Sequence, residues 1–415
     1  MSEIRNFIDA RIRDGVEWMK LEDICSVITD GSHFSPSAID GDGYYMPSVK
    51  DMTNDGFDFS TCKKISETDY KELVRNGCRP EVNDVLIAKD GSMLKYVFAV
   101  EKESDIVILS SIAILRPKTE IVFPKYLAHY FRQEKFRERI IREYSSKGGV
   151  PRIVLKNFKR IEIPVPPIEV QREIVKVLDS FSELTAELTA ELTARKKQYE
   201  FYMNNLLSPG IKEAKYVKIG DVCSIKARIG WQRLNKKEYL TSGEYYLVTG
   251  VDICNNRVDF KSCYFVSKDR YEMDENIQLR NGDIILTKDG TIGKVALIEN
   301  MDKPGVLNSH LFVIRDMSGS IRAKYLMFVL LSNRFQSFAQ KNITQGTIPG
   351  LNQGTIIKFE FPVPSIEEQD RIVSILDKFE ALTTSLSEGL PAEIKARQQQ
   401  YEYYRDQLLT FKRAN

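Results

Sequence analysis

The sequence predicts a mixed α/β architecture: two tandem α+β globules and two long helices that pair antiparallel into a coiled-coil-like spacer. Three observations predict it. The chain is written twice, each copy closes on a long amphipathic helix, and the rest of each copy alternates short β-rich runs with one helical stretch.

The duplication organises everything else. IPVPPIEVQREIVKVLD, from Ile163 to Asp179, aligns with FPVPSIEEQDRIVSILD, from Phe361 to Asp377, at 10 of 17 positions and 198 residues apart. KLEDICS from Lys20 matches KIGDVCS from Lys218, NDVLIAKDGS from Asn83 matches GDIILTKDGT from Gly282, and QYEFYMNNLL from Gln198 matches QYEYYRDQLL from Gln400. The order is preserved, so the chain divides into a first globule over 1–164, a central helix over 165–209, a second globule over 210–362 and a distal helix over 363–415.

Within the globules, DVLIAKDG, YVFAV, IVILSSIAILRP, DIILTKDG, KVALI and LFVIRD are β-rich runs broken by Gly, Asp and Asn turns. PKYLAHYFRQEKFRERIIREY and its counterpart AKYLMFVLLSNRFQSFAQKN carry the helical period. PVPP and PVPS then end a strand and open a long helix, because proline is tolerated in a first helical turn and not later. Apolar residues recur at three and four, and the stripe includes Leu184, Leu188 and Leu192 in one helix and Leu382, Leu386 and Leu390 in the other. Such a stripe must be buried, and pairing the two helices buries both. Gly389 and Pro391 predict a local bend or fraying in the distal helix.

The central helix contains ELTAELTAELTA, Glu183 to Ala194, three copies of a four-residue unit. Ala, Leu and Glu are strong helix formers, so the tract is helix. Each unit adds roughly 6 Å and leaves the next about 40° further round, so changing the copy number alters length far more than facing. The tract lies in a stretch where the copies differ in spacing: Asp179 to Gln198 is 19 residues and Asp377 to Gln400 is 23.

Composition removes several classes of function. With 415 residues, 42% hydrophobic and 28% charged, the chain suits two ordinary globular domains plus connectors. It has no run of 18 apolar residues and no apolar leader, so the expectation is a cytoplasmic protein with no membrane partner. Six scattered cysteines without a CxxC pair make neither a disulfide framework nor a zinc site. His33, His129 and His310 are too dispersed for a metal cluster and read as core or surface histidines. No phosphate loop, GxGxxG or GxSxG is present. A nuclease reading of the duplicated KDG lacks its carboxylate, because Ile87 and Leu286 stand two residues before Lys89 and Lys288. No catalytic residue and no metal ligand is expected.

On these residues the chain resembles the specificity subunit of bacterial type I restriction–modification enzymes. The resemblance rests on the paired PVPPIEVQREIV and PVPSIEEQDRIV helix starts, the QYEFYMNNLL and QYEYYRDQLL helix ends, and the tetrapeptide tract, which is similar to that of the subgroup with TAEL-type repeats. It implies that each globule is a target-recognition domain for one half of a bipartite site in double-stranded DNA. It further implies two methyltransferase subunits docked on the helical regions, and restriction and translocation subunits beyond them. S-adenosylmethionine, ATP and Mg would reside on those partners, with no cofactor on this chain. The globules differ in sequence, so an asymmetric site is expected. A non-catalytic assembly scaffold is the alternative.

Base reading requires polar side chains at groove edges, whereas phosphate contacts only position the protein. Three sets of loop residues qualify. The first is Ser32, His33 and Ser35 against Arg228, Trp231, Gln232 and Arg233, where the copies differ. The second is Lys147 and Arg152 against Gln345 and Thr347, in glycine-flanked loops. The third is Lys89, Lys95, Lys288 and Lys294, expected to face phosphate.

Overall fold

The computed structural model describes residues 2–146, 151–208, 214–229, 234–344, 349–385 and 389–414. The chain forms two compact units, Met1–Glu187 with Ile394–Asn415, and Leu188–Glu393. The central helix Ile168–Leu206 gives its first half to one unit and its second half to the other.

In the first unit, strands run in the order Cys25–Asp30, Ile112–Pro117, Val85–Ala88 and Val97–Ala99, each antiparallel to its neighbour. Val85–Ala88 is buried throughout, as a central strand covered on both faces should be. Helices Pro124–Phe131 and Glu134–Tyr144 cover the sheet, the former opening on proline at its first turn. In the second unit the equivalent strands are Cys223–Lys226, Leu311–Asp316, Ile284–Thr287 and Val295–Leu297, extended by the short strands Arg257–Val258 and Ile253–Cys254. A second sheet there joins Tyr264–Val266, Tyr245–Val248 and Gly305–Leu307.

The duplication holds to the level of register. Glu17 pairs with Val165 in one unit and Lys215 with Val363 in the other, each partner displaced by 198 residues. Below that joint, Arg116 grips buried Asp84 with two hydrogen bonds of 2.7 and 3.0 Å, and Arg315 grips Asp283 with two of 2.6 Å. Hydrogen bonding to its carboxylate partner raises each guanidinium's pKa.

Each long-helix start is tied to its globule by a glutamine with no exposure. Gln171 Oε1 accepts from Phe123 N at 2.8 Å, and its Nε2 donates to Ile121 O at 2.9 Å and Pro166 O at 2.8 Å. Gln369 repeats the pattern with Arg322 N, Ser320 O and Pro364 O at 2.8, 2.9 and 3.0 Å. Lys125 to Asp179 and Lys324 to Asp377, at 2.9 and 2.8 Å, fasten the next turns. His129 is buried in the first unit, with Nε2 2.8 Å from Asp179 and Nδ1 2.9 Å from Tyr401 Oη. Burial holds its pKa down despite the carboxylate; Phe328 stands at the matching place in the second unit.

Both long segments contribute to each core. Ile174 and Leu178 of the central helix share the first core with Leu408 and Leu409, and Met203 and Leu207 share the second with Ile372 and Leu376. Beyond the globule the helices meet each other. Phe181 stacks on Tyr404 at 5.3 Å in the first unit, and Phe379 stacks on Tyr202 at 5.3 Å in the second. The same contact is made twice with the helices' roles exchanged, so pairing and packing on the globule coexist.

Two expectations for the spacer change. The distal segment is two helices, Ile366–Thr384 and Leu390–Leu408, with Leu386 outside the described residues. A Cβ at Gly389 would lie 2.5 Å from Ala381 O, so that close passage needs glycine. Leu382 is exposed, and Thr383 takes the buried place with its hydroxyl donating to Phe379 O at 2.7 Å. Leu184, Leu188, Leu192 and Leu390 are half-buried, and the glutamates and alanines of the repeat are exposed. Thr185 and Thr193 bond the carbonyl four residues earlier, which keeps threonine compatible with the helix.

Replacing Gln171 with alanine leaves Phe123 N, Ile121 O and Pro166 O buried without this partner. Each unsatisfied group costs about 1–3 kcal/mol, so Gln171→Ala should lower unfolding free energy by about 3 kcal/mol. Chemical denaturation checks it, with exposed Gln399→Ala as the neutral control.

Candidate nucleic-acid interface

In each globule three separate loops meet at one end of the sheet. In the first unit, Ser32 N donates to Ile108 O at 2.8 Å, Lys89 N to Ser111 O at 2.9 Å, Gly91 N to Pro151 O at 3.0 Å and Ile153 N to Lys89 O at 3.1 Å. A Cβ at Gly31 would fall 2.1 Å from Ile108 O, so only glycine lets the first loop pass. In the second unit, Lys288 N donates to His310 O at 3.0 Å and Leu351 N to Lys288 O at 2.6 Å. Residues far apart in sequence are thus brought to one end of the sheet: His33, Ser35, Lys95 and Arg152 with Ser32 and Lys89 beneath them in one globule, and Lys288 and Lys294 in the other. Arg228 lies beneath the second face, where its Nε donates to Leu307 O at 3.3 Å. Lys147, Trp231, Gln232, Arg233, Gln345 and Thr347 lie outside the described residues.

Side-chain environment separates the four lysines that share one sequence expectation. Lys95 and Lys294 are exposed cations. Lys89 does not face outward: it is 6% exposed, with Nζ 3.1 Å from Asp30 and 3.6 Å from Asp90. Burying an ammonium is costly unless a carboxylate compensates, and Asp30 supplies one. The duplication places Arg228 where the first copy has Asp30, 198 residues earlier. A cation there cannot draw a lysine inward, and the Lys288 side chain stays 27% exposed, 3.9 Å from Asp289. Burial, then the charge of Arg270, lowers the pKa of the Arg228 guanidinium.

Hydroxyls and imidazoles complete the faces. Ser32 is buried and donates to Phe34 O at 2.6 Å, whereas Ser35 is exposed and accepts from Lys63 Nζ at 2.8 Å. His33 is largely exposed, 3.5 Å from Asp30, and His310 is half-exposed, 2.5 Å from Asp289. Phe34 stands free at 67% exposure. No group of three or more metal-ligating side chains occurs among the described residues. No helix among them is long and apolar enough to cross a membrane.

Several residues that build these faces escaped the sequence reading. Asp30, Asp90 and Asp289 set the charge around the lysines, and the duplicated KDG could have marked the last two. Ser48 with Asp51, and Thr249 with Asp252, form the same turn in the two units: the hydroxyl donates to the carboxylate at 2.9 and 2.8 Å. YYMPSVKD and YYLVTGVD, 201 residues apart, carry that match in the sequence.

The comparisons with known proteins agree with this double architecture. The family model described as type I restriction modification DNA specificity domain matches residues 13–195 and again 211–396. The chain is 33% identical over 273 residues to the type I restriction enzyme EcoR124I/EcoR124II specificity subunit of Escherichia coli, covering 64% of this chain and 67% of that one. It is 28% identical over 427 residues to a putative type I restriction enzyme specificity subunit of Haemophilus influenzae, covering 99% and 100%. Among solved structures, a chain from work on assembly and conformational transition of the type I R-M system aligns with TM-score 0.62 at 15% identity, over 95% of this chain and 97% of that one. The type I restriction-modification S subunit from M. genitalium aligns with TM-score 0.53 at 15% identity, over 95% and 96%. The chain belongs to the type I restriction–modification specificity subunit family, as the non-catalytic recognition component with two tandem recognition domains.

The contrast among the lysines is measurable in stability alone. Lys89→Ala strips a buried carboxylate of its main partner and should destabilise by about 3–5 kcal/mol. Lys294→Ala, at an exposed site, should stay within about 0.5 kcal/mol of the parent. Urea unfolding of both variants checks the ordering, and equal effects would contradict the buried-pair account.

Proposed function

We propose that this chain reads an asymmetric, bipartite site in double-stranded DNA, one half-site per globule, and directs adenine methylation and restriction by partner subunits. The observation that carries the reading is that, among the described residues, the lysine loop meets the Pro151–Ile153 segment in one globule and the Leu351 segment in the other, with different side chains around them. Equal scaffolds with unequal loops suit two half-sites of different sequence. Ser35, His33, Lys95 and Arg152 on one face, and Lys288 and Lys294 on the other, are the described side chains placed to meet DNA. Exposed Lys95 and Lys294 suit phosphate.

Two methyltransferase subunits, one per globule and helix start, match the duplicated joint around Gln171 and Gln369. Restriction and translocation subunits join through them. S-adenosylmethionine, ATP and Mg belong to those partners, which act in the cytoplasm. The ELTA tract assigns the chain to the TAEL-repeat subgroup and serves as its ruler. One unit is roughly 6 Å of helix against about 3.4 Å per base pair, so one unit shifts the tolerated gap by one or two base pairs.

Deletion of Leu188–Glu191 tests the ruler. Sequencing of modified adenines in cells carrying that variant should show both half-sites unchanged and the gap shortened by about one base pair. Altered half-site bases with an unchanged gap would refute it.

A further inference from the structure

The reading face of the second unit contains a cleft of about 730 Å³. Its lining includes Tyr264, Tyr239, Asn308, Thr287 and the His310–Asp289 pair, with the exposed Lys236 and Lys294. The two rings lie 5.4 Å apart, and Tyr264 is 43% exposed, so an aromatic face is open to the cleft. Asn308 is 5% exposed. Its backbone N is tied to Val248 O at 3.0 Å and its Oδ1 accepts from His310 N at 3.0 Å. Among the described residues its Nδ2 makes no hydrogen bond, so an amide donor in the lining of this cleft is open to solvent.

These features distinguish two ways of reading a base. A side chain that reads a groove edge must project into the groove, as asparagine does when it grips adenine. Asn308, 5% exposed in the lining of a concave surface, does not project as a groove-reading side chain must. A base lifted from the stack can reach Asn308, and such bases are read by hydrogen bonds to the edge and stacking on aromatic rings. The cleft volume falls within the roughly 300–1,000 Å³ of small-ligand sites, ample for one nucleotide.

We propose that this cleft receives one nucleotide unit lifted out of the DNA duplex, its base stacked on Tyr264, its polar edge toward Asn308 Nδ2 and its phosphate toward Lys236 and Lys294. The proposal rests on the reading of this face as DNA-facing. It assigns to the second globule a recognition mode in which the duplex is opened at one position, and it makes Tyr264 and Asn308 specificity-determining residues.

The test uses the full chain assembled with its methyltransferase partners. Duplexes carry 2-aminopurine at one position at a time through the half-site that the second globule reads. At one position emission should rise severalfold on binding, and the rise should vanish in Tyr264→Ala and persist in Tyr264→Phe. Affinity for the cognate duplex should fall about tenfold in Tyr264→Ala, the scale of one lost base–aromatic stack. Should Tyr264→Ala fail to fold, Tyr264→Leu keeps the wall filled without the ring and should give the same loss. Asn308→Ala should relax base preference at that position only. Normal binding with no position whose emission depends on Tyr264 would overturn the proposal. So would tight binding of free adenosine monophosphate in the absence of DNA, which would make the cleft a site for a soluble nucleotide. Failure of the parent complex to bind any duplex would instead refute the DNA reading of the face itself.

Discussion

Each globule's attachment to its long helix begins at a fully buried amide. Gln171 and Gln369 have no exposure and use both ends of the side chain, accepting from one backbone N and donating to two carbonyls. The glutamine ties the proline carbonyl just before its helix to the loop ahead of helix Pro124–Phe131 or Ala323–Leu331. The lysine–aspartate pair two turns later and the phenylalanine–tyrosine stack beyond it follow in fixed order along the helix. Recognition is thereby attached to a scaffold that is the same twice, while the loops at the far end of the sheet remain free to differ.

That freedom is visible at one duplicated position. Asp30 in the first copy and Arg228 in the second occupy equivalent sequence positions, at the end of one strand and just past the end of the other, and the exchange of sign changes what surrounds it. A buried carboxylate internalises Lys89; a cation leaves Lys288 partly in solvent. The first candidate face is therefore built over a neutralised ion pair with an exposed Phe34. The second is built around a concave site edged by lysines. Two readers of unlike chemistry on one repeated frame are what an asymmetric target requires.

Much of the frame was legible in the residues. The 198-residue offset between PVPP and PVPS reappears as identical strand register at Glu17–Val165 and Lys215–Val363. The helical period located the central helix, and glycine with proline located the break in its distal partner. Side-chain environment was less legible, for physical reasons. Period alone puts Leu382 or Thr383 on the stripe equally well, and a threonine that satisfies its hydroxyl on the carbonyl of Phe379 can be buried. Lys89 and Lys288 sit in the same motif, yet their exposure is decided by a residue some 60 positions away in sequence. Asn308 carries no motif; its place in the cleft lining follows from the pairing of Tyr245–Val248 with Gly305–Leu307.

The central claim is modular reading: one globule, one half-site. It is tested most directly by replacing Val16–Pro164 with the corresponding globule of another specificity subunit and mapping modified adenines across the genome by long-read sequencing. The account predicts a new first half-site joined to the old second half-site across the old gap. A change in both half-sites, or in neither, would contradict it.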